Sequence, residues 1–549
     1  MIESHENNFD IFIIGGGING VGIARDATGR GLTVCLADMG DLGGATSSSS
    51  TKLFHGGLRY LEYFEFKLVR ESLKEREVLL RSMPHISRPM KFVLPYDNEM
   101  KFEPNTPVSK FLSLIMPWKK GKRPAWLIRL GLFLYDNLGQ RKILPASRTI
   151  NLKSDPSGKP LRNKFTKGFE YSDCWVEDSR LVVLNARDAH DAGAKILSYH
   201  KALSAKKRNN GWIIEVENQK TQIKTSFNCK LLVNAGGPWV ENIMLNTIQN
   251  NASSKNSASP RSVRLVKGSH IVTKKLFDHQ KSYFLQGKDG RIVFAIPYEK
   301  DYTLVGTTDV LHPNIQEEPK CTSEETTYLL NFINQYFQKP VVEKDIVWSY
   351  SGVRPLFEDG AKSESAVSRD YFIEFTDKNS ASPILNIFGG KITTYRKLAE
   401  IAIDNASSIF PSVKEKWTSE SYLPGGDFEV NDFETIVQDI YKLHNYINLE
   451  LVRRLVRLYG TDTYKMLENK KTIKDLGRAF GNNLYGFEID WGINKEWVTC
   501  SEDFLWRRTK LGMQLNKNVQ LSVNKYIQNK LKKNDFYKIQ NTQSKDRAV

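Results

Sequence analysis

The sequence predicts an α/β fold carrying a further helical domain, and three observations predict it. Residues 9–38 read as strand, glycine turn, helix, strand and acid, the unit that holds a dinucleotide. Two later apolar runs also end in double glycines, at Gly236 and Gly389. From about Trp417 onward the pattern turns mainly helical and basic, which marks a separate C-terminal domain.

In the first unit, residues 10–14 and 32–36 are the strands and residues 18–29 the helix. Gly15 allows the tight turn, Gly17 lets the backbone approach a pyrophosphate, and Gly20 lets helix and strand pack closely. The helix N-terminus then faces the anion. Asp38 follows eighteen residues after Gly20, where an acid accepts hydrogen bonds from a ribose.

The chain has 549 residues and a hydrophobic fraction of 40%, enough for several domains and a sizeable core. Its first eight residues are polar and partly acidic, unlike a signal peptide. The longest apolar runs, 111–118 and 125–135, are interrupted by Pro117 and Arg129 and are too short to span a bilayer, so no transmembrane helix is expected. Five scattered cysteines without metal-ligand spacing suit reduced thiols in a cytosolic protein. The formal charge of +17 implies an anionic partner or a solvated basic surface. No aromatic RNA-binding motif or zinc finger accompanies it, so a nucleic-acid partner is not expected.

Residues 43–52 form a loop of small residues that leaves amides and hydroxyls open to a polar ligand. A flexible linker is excluded because Lys52, His55, Gly56, Arg59 and Tyr60 follow at once, and then an amphipathic helix over 66–83, stopped by Pro84. Residues 96–141 mix apolar runs with Lys119, Lys120, Lys122 and Arg123. Both a membrane-dipping surface and a packed helical hairpin fit that mixture. Strand patterns at 211–216 and 230–234 lead to the second glycine turn, an Asn/Ser-rich loop is expected over 246–262, and strands at 263–266, 270–272, 292–296 and 303–305 predict a β-rich second lobe. A third strand-turn at 384–391 precedes a helix over 393–405.

Three strand-to-glycine turns exceed what a nicotinamide fold requires. They point to one extended cofactor along a sheet edge, FAD rather than NAD, with the helix near Thr393 directing its positive end at the redox ring. Arg59, Lys267, His270, Arg354, Arg369 and Lys391 supply cations, all but Arg369 without an adjacent acid, which favours an anionic substrate.

The runs 15–26, 45–62, 168–178, 267–272, 347–356, 388–400 and 505–512 closely resemble the FAD-dependent glycerol-3-phosphate dehydrogenases, especially the bacterial aerobic ones, over nearly the whole chain. The resemblance implies a glutathione-reductase-like FAD-binding domain, a β-rich substrate lobe and a helical C-terminal domain. It implies oxidation of glycerol 3-phosphate to dihydroxyacetone phosphate, electrons passing to quinone, from a cytoplasmic protein held peripherally on an anionic membrane surface. A homodimer is compatible with it. The expected division is 9–410 for the FAD-binding domain (mainly 9–90, 170–245 and 350–410), with the substrate lobe at 91–169 and 260–349, the helical domain at 417–533, and a frayed tail over 534–549.

Carried over residue by residue, cofactor contacts fall on Gly15, Gly17, Ile18, Asn19, Gly20, Asp38, Thr46, Ser47, Ser50, Lys52, His55, Gly56, Ala235, Gly236, Gly390, Lys391, Ile392 and Thr393. Phosphate-binding groups fall on Arg59, Tyr60, Arg369 and Lys391; Arg354 and His270 fall near the reacting carbon, and which of the two is the base stays open. No metal is expected. Residues 97–121 are longer than the family pattern and are expected to strengthen membrane docking. The rival readings are a glycerol-3-phosphate oxidase using oxygen and a flavin amine or amino-acid oxidase.

Overall fold

The structure, a computed structural model, describes residues 7–101, 106–115, 122–139, 141–249, 262–287, 290–357, 371–376 and 381–546. Arg369 and the segments 116–121 and 250–261 lie outside the described residues, and with them part of the expected Asn/Ser-rich loop and Lys119 and Lys120.

The strand Asn8–Ile14 sits inside a nine-stranded sheet, parallel to Val34–Ala37 on one side and to Lys224–Asn234 on the other. Its side chains alternate between two cores. Ile11 and Ile13 pack under the helices Ile18–Gly29, Asp178–Asp191 and Tyr395–Ala406, whereas Phe12 and Ile14 pack with Trp212 and Phe227 on the other face. With both faces covered, the strand reads as a continuous apolar run.

The strand Lys224–Asn234 is forked. Its first half pairs with the antiparallel strand Gly211–Asn218, and its last residues pair with the parallel strand Ile384–Phe388. Ile14 lies level with Asn234, and Asn234 with Asn386. The three glycine turns therefore line one carboxyl edge, the place where open α/β sheets bind ligands.

A ten-stranded sheet forms the second lobe. Ser87–Tyr96 pairs with Lys167–Val176 along its whole length, and Val263–Lys274 pairs with Ile346–Phe357. These strands run across the positions 90/91, 169/170 and 349/350 at which the expected divisions fall. Ladders of ten to twelve residues keep one composition throughout, so nothing in the sequence marks where one lobe passes into the other.

The 96–141 region contains the helices Pro107–Ile115 and Ala125–Leu138. The second buries Leu132 and Tyr135 but leaves Trp126 58% and Phe133 55% exposed. Just before this helix, Lys122 pairs with Glu99 and Arg123 with Glu62.

The C-terminal domain packs its helices around two further cores. Buried ion pairs fasten it to the first domain: Arg180 to Glu496 at 2.6 Å, and Arg508 to both oxygens of Asp41 at 2.7 and 2.8 Å. Its last helix runs Lys517–Asp546, through most of the stretch expected to be frayed. All five cysteines are free thiols.

Removing one member of a buried pair strands the other, at a cost of about 3–5 kcal/mol. Arg180→Met should therefore lower the urea midpoint followed by tryptophan fluorescence, leaving Glu496 with only its longer contact to Arg187 at 3.8 Å. Lys300→Ala, which breaks the exposed pair with Glu450, should leave the midpoint unchanged.

Candidate active site

The cradle at the sheet edge is shaped by absent side chains. Gly15 adopts φ +112°, and a Cβ there would meet the Ala235 carbonyl; one on Gly20 would collide with the Gly15 carbonyl. Gly17 opens the helix Ile18–Gly29 with no side-chain cap, and Ser47 Oγ stands 3.0 Å from the Ile18 amide. Those helix-terminal amides and the serine hydroxyl fit a pyrophosphate. Asp38 accepts the Gly16 amide at 2.6 Å and the Gly40 amide at 2.8 Å, which fixes its carboxylate at the end of its strand. Asn19 Nδ2 donates to the Gly389 carbonyl at 3.1 Å and so ties the first turn to the third. Ala235 and Gly236 close the second turn, the Ala235 amide bonding the Ile14 carbonyl at 2.9 Å. Three turns linked along one edge, with a phosphate-sized opening at the first, fit FAD.

The serine-rich loop bridges the two sheets. Thr46 Oγ1 donates to the Val353 carbonyl at 2.6 Å, and Ser50 Oγ to Asp178 at 2.7 Å. Lys52 departs from expectation. Its backbone is left-handed at φ 61°, its side chain is fully buried, and its ammonium group binds Asp178 at 2.6 Å. Its side chain supports the loop from behind. Gly56 is likewise structural: its amide bonds Tyr135 Oη at 2.7 Å, and a Cβ would run into Leu73.

Beyond the loop lies a cavity of about 290 Å³ lined by His55, Arg59, Tyr60, His270, Arg354 and Lys391, with Gly390, Ile392 and Thr393 along one wall. Most of the expected substrate and ring-end cofactor residues thus meet in one place. The Lys391 ammonium sits 4.2 Å above the Tyr60 ring, and the His55 amide reaches Thr393 Oγ1 at 3.3 Å.

His270 stacks on Tyr350 with ring centroids 4.8 Å apart, and its Nε2 lies 2.9 Å from Thr51 Oγ1. Burial, together with the Lys52 and Arg354 cations, pushes its pKa down to about 3, so the ring is neutral. Arg354 donates to the Thr308 carbonyl at 3.0 Å and to Asp309 at 2.5 Å. The sequence reading had Arg354 and Lys267 without acidic neighbours. Lys267 is paired with Glu325 at 2.9 Å, on the side of its strand away from the cavity. The sequence reading also passed over Thr51, Asp309 and the aromatic floor of Tyr171, Phe284 and Phe294. The run Gly306-Thr307-Thr308-Asp309, small and polar at a strand end, carried the signal that would have found Asp309.

Comparison with known proteins agrees with this arrangement. Residues 10–396 match the family model of the FAD dependent oxidoreductases, and residues 417–533 match the C-terminal domain of alpha-glycerophosphate oxidase. The chain is 45% identical to a D-erythritol 1-phosphate dehydrogenase from Brucella abortus, covering 91% of this chain and 94% of that one. It is 42% identical to the aerobic glycerol-3-phosphate dehydrogenase of Escherichia coli, over 94% and 97%. The fold matches that of a glycerol-3-phosphate dehydrogenase from Bacillus halodurans complexed with FAD, with a TM-score of 0.68 at 24% identity over 97% and 95% of the two chains. Glycine turns, cavity and relatives together place the chain in the family of FAD-dependent glycerol-3-phosphate dehydrogenases.

Proposed function

We propose that the protein oxidises glycerol 3-phosphate at C2 to dihydroxyacetone phosphate and passes the electrons to a quinone. One observation carries the reading: the cavity at the sheet edge joins a cationic end, Arg59 and Lys391 with Tyr60, to an end where His270 and Arg354 stand together. The first end suits a phosphate dianion through charge-assisted hydrogen bonds. The second suits the carbinol.

FAD, when bound along the turns, supplies the acceptor for the two electrons and the hydrogen of C2. The hydroxyl proton passes to His270 at Nε2, the nitrogen beside Thr51. Arg354 is not the base, since a guanidinium held by a carboxylate 2.5 Å away stays protonated. It stabilises the negative charge that develops on the C2 oxygen. His270 is neutral before substrate enters and free to accept, and the arriving phosphate offsets the cations that depress its basicity.

A four-carbon polyol phosphate is the second reading, favoured by the 45% identity to the Brucella enzyme. Both substrates share a terminal phosphate and a neighbouring secondary alcohol. For the electron acceptor, the reading rests on the apolar face of Ala125–Leu138, with Leu114 81% exposed on the preceding helix, as a surface that lies in a membrane interface. No helix among the described residues is long and apolar enough to cross a membrane.

Anaerobic addition of glycerol 3-phosphate should bleach the yellow holoprotein. Faster bleaching by erythritol phosphate would favour the second reading, and bleaching by neither would overturn both. Trp126→Ser with Phe133→Ser should reduce co-sedimentation with anionic liposomes severalfold while leaving flavin bleaching intact; unchanged binding would remove this helix from docking.

His270 also has a signature in stability. Between pH 6.5 and about 3 the unfolded chain binds a proton at this residue that the native protein does not, so stability falls as pH falls. The slope is about 1.4 kcal/mol per pH unit for one such group. His270→Gln should flatten the decline in Tm between pH 7 and 5, and an unchanged decline would show that the ring is not held neutral.

A further inference from the structure

The strands Val263–Lys274 and Ile346–Phe357 pair His270 with Tyr350, Ser269 with Ser351, Gly268 with Gly352, and Val266 with Arg354. Residues directly opposite in an antiparallel ladder share a face, and successive residues alternate. His270, Gly268, Gly352 and Arg354 thus face the cavity, while Ser269, Ser351 and Lys267 point to the back of the sheet. Gly268 leaves the room across which the Arg354 guanidinium lies, since a Cβ there would meet it.

Behind the sheet, the helix Ser323–Ile333 begins with a capping box, in which Thr322 and Glu325 satisfy each other's backbone amides. A capping role uses one carboxylate oxygen, and Glu325 uses both. Its Oε2 accepts the Thr322 amide at 3.0 Å and pairs with Lys267 at 2.9 Å. Its Oε1 accepts Thr308 Oγ1 at 2.7 Å and Ser269 Oγ at 2.8 Å. Because a carboxylate only accepts, both hydroxyl protons are committed to it. Ser351 Oγ, 2.8 Å from Ser269 Oγ, is then the donor in that contact.

The consequence reaches the cavity through Thr308. Its hydroxyl accepts the Ser269 amide at 2.9 Å while donating to Glu325, so the residue is held from two sides. Its carbonyl, and the carboxylate of the next residue Asp309, both accept from the Arg354 guanidinium. Ser269, the other arm, immediately precedes His270. Burial works to raise the Glu325 carboxyl, but its donors outweigh it and keep the group ionised.

Resting on the proposed oxidation at C2, we infer that Glu325 is a positioning residue: from behind the sheet, through Thr308 and Ser269, it sets the placement of Arg354 and His270. Glu325→Gln replaces an acceptor with a donor in a site already crowded with donors. Thr308→Val keeps the carbonyl that meets the arginine but removes the hydroxyl that ties it to Glu325, while leaving the helix cap and the Lys267 pair in place.

The test is a double-mutant cycle on the holoenzyme. Glu325→Gln and Thr308→Val should each lower kcat for glycerol 3-phosphate about tenfold or more, with KM changed less than threefold. In an Arg354→Ala background Thr308→Val should cost less than twofold, and Glu325→Gln should keep only the part of its loss that runs through Ser269 and His270. Equal losses in both backgrounds, or losses below twofold in the native one, would overturn the proposal. Sulfite, which adds to oxidised flavin as an anion and needs no substrate, reads the placement of Arg354 independently. Its Kd should rise severalfold in Glu325→Gln and Thr308→Val, and an unchanged Kd would overturn the proposal even if another polyol phosphate proves to be the substrate. Failure of the wild-type protein to bleach with any polyol phosphate would instead count against the oxidation itself.

Discussion

One buried ion pair, Lys52 with Asp178, stands where the parts of this molecule meet. Both side chains are fully buried. Such a pair persists only when the remaining hydrogen-bonding capacity is filled, and here it is: Asp178 also accepts the Ser50 amide at 3.1 Å, the Ser50 hydroxyl, and the Ser179 amide at 2.8 Å. Asp178 opens the helix that packs beneath the dinucleotide unit, Lys52 ends the serine-rich loop, and the Lys52 ammonium lies 5.2 Å from the ring of Tyr350, the stacking partner of His270. Lys510 of the C-terminal domain reaches Ser179 Oγ at 2.9 Å, beside the same pair. Cofactor cradle, substrate sheet and C-terminal domain therefore share one electrostatic anchor.

How much of this was legible in the sequence depended on the range of the interaction. The glycine turns were readable because their cause is local: Gly15 and Gly20 lack side chains so that one turn can close, and the spacing to Asp38 follows from a strand and a helix of ordinary length. That three turns meet at one edge was also foreseeable, since each ends an apolar run. Side-chain direction was not. Lys52 and Gly56 sit inside the motif that surrounds the cofactor, yet a left-handed backbone turns Lys52 inward and a tyrosine hydroxyl claims the Gly56 amide. Nor could Lys267 be recognised as paired, because its acid, Glu325, comes from a helix on the far side of a sheet.

The positive charge of the chain deserves a different reading in three dimensions. Among the described residues, Lys52, Lys267 and Arg354 around the site, and Lys122 on the surface, each have a carboxylate partner. Their work is to hold loops and strands in position as much as to attract anions. The helix Ala125–Leu138 leaves Trp126 and Phe133 exposed, whereas Lys122 and Arg123 before it are paired with Glu99 and Glu62.

The fork in the strand Lys224–Asn234 bears on how the protein is made. Its final residues wait for Ile384–Phe388, and Asn19 waits for Gly389, a partner 370 residues downstream. At the usual pace of ribosomal synthesis, that separation is about 20–75 s. For the last 152 residues of that stretch, about 8–30 s, the nascent chain carries a cradle with one wall missing and an open sheet edge beside it. Cofactor capture is thus a late event in biogenesis, and the growing polypeptide must be kept from pairing that edge with a neighbour until its own strand arrives.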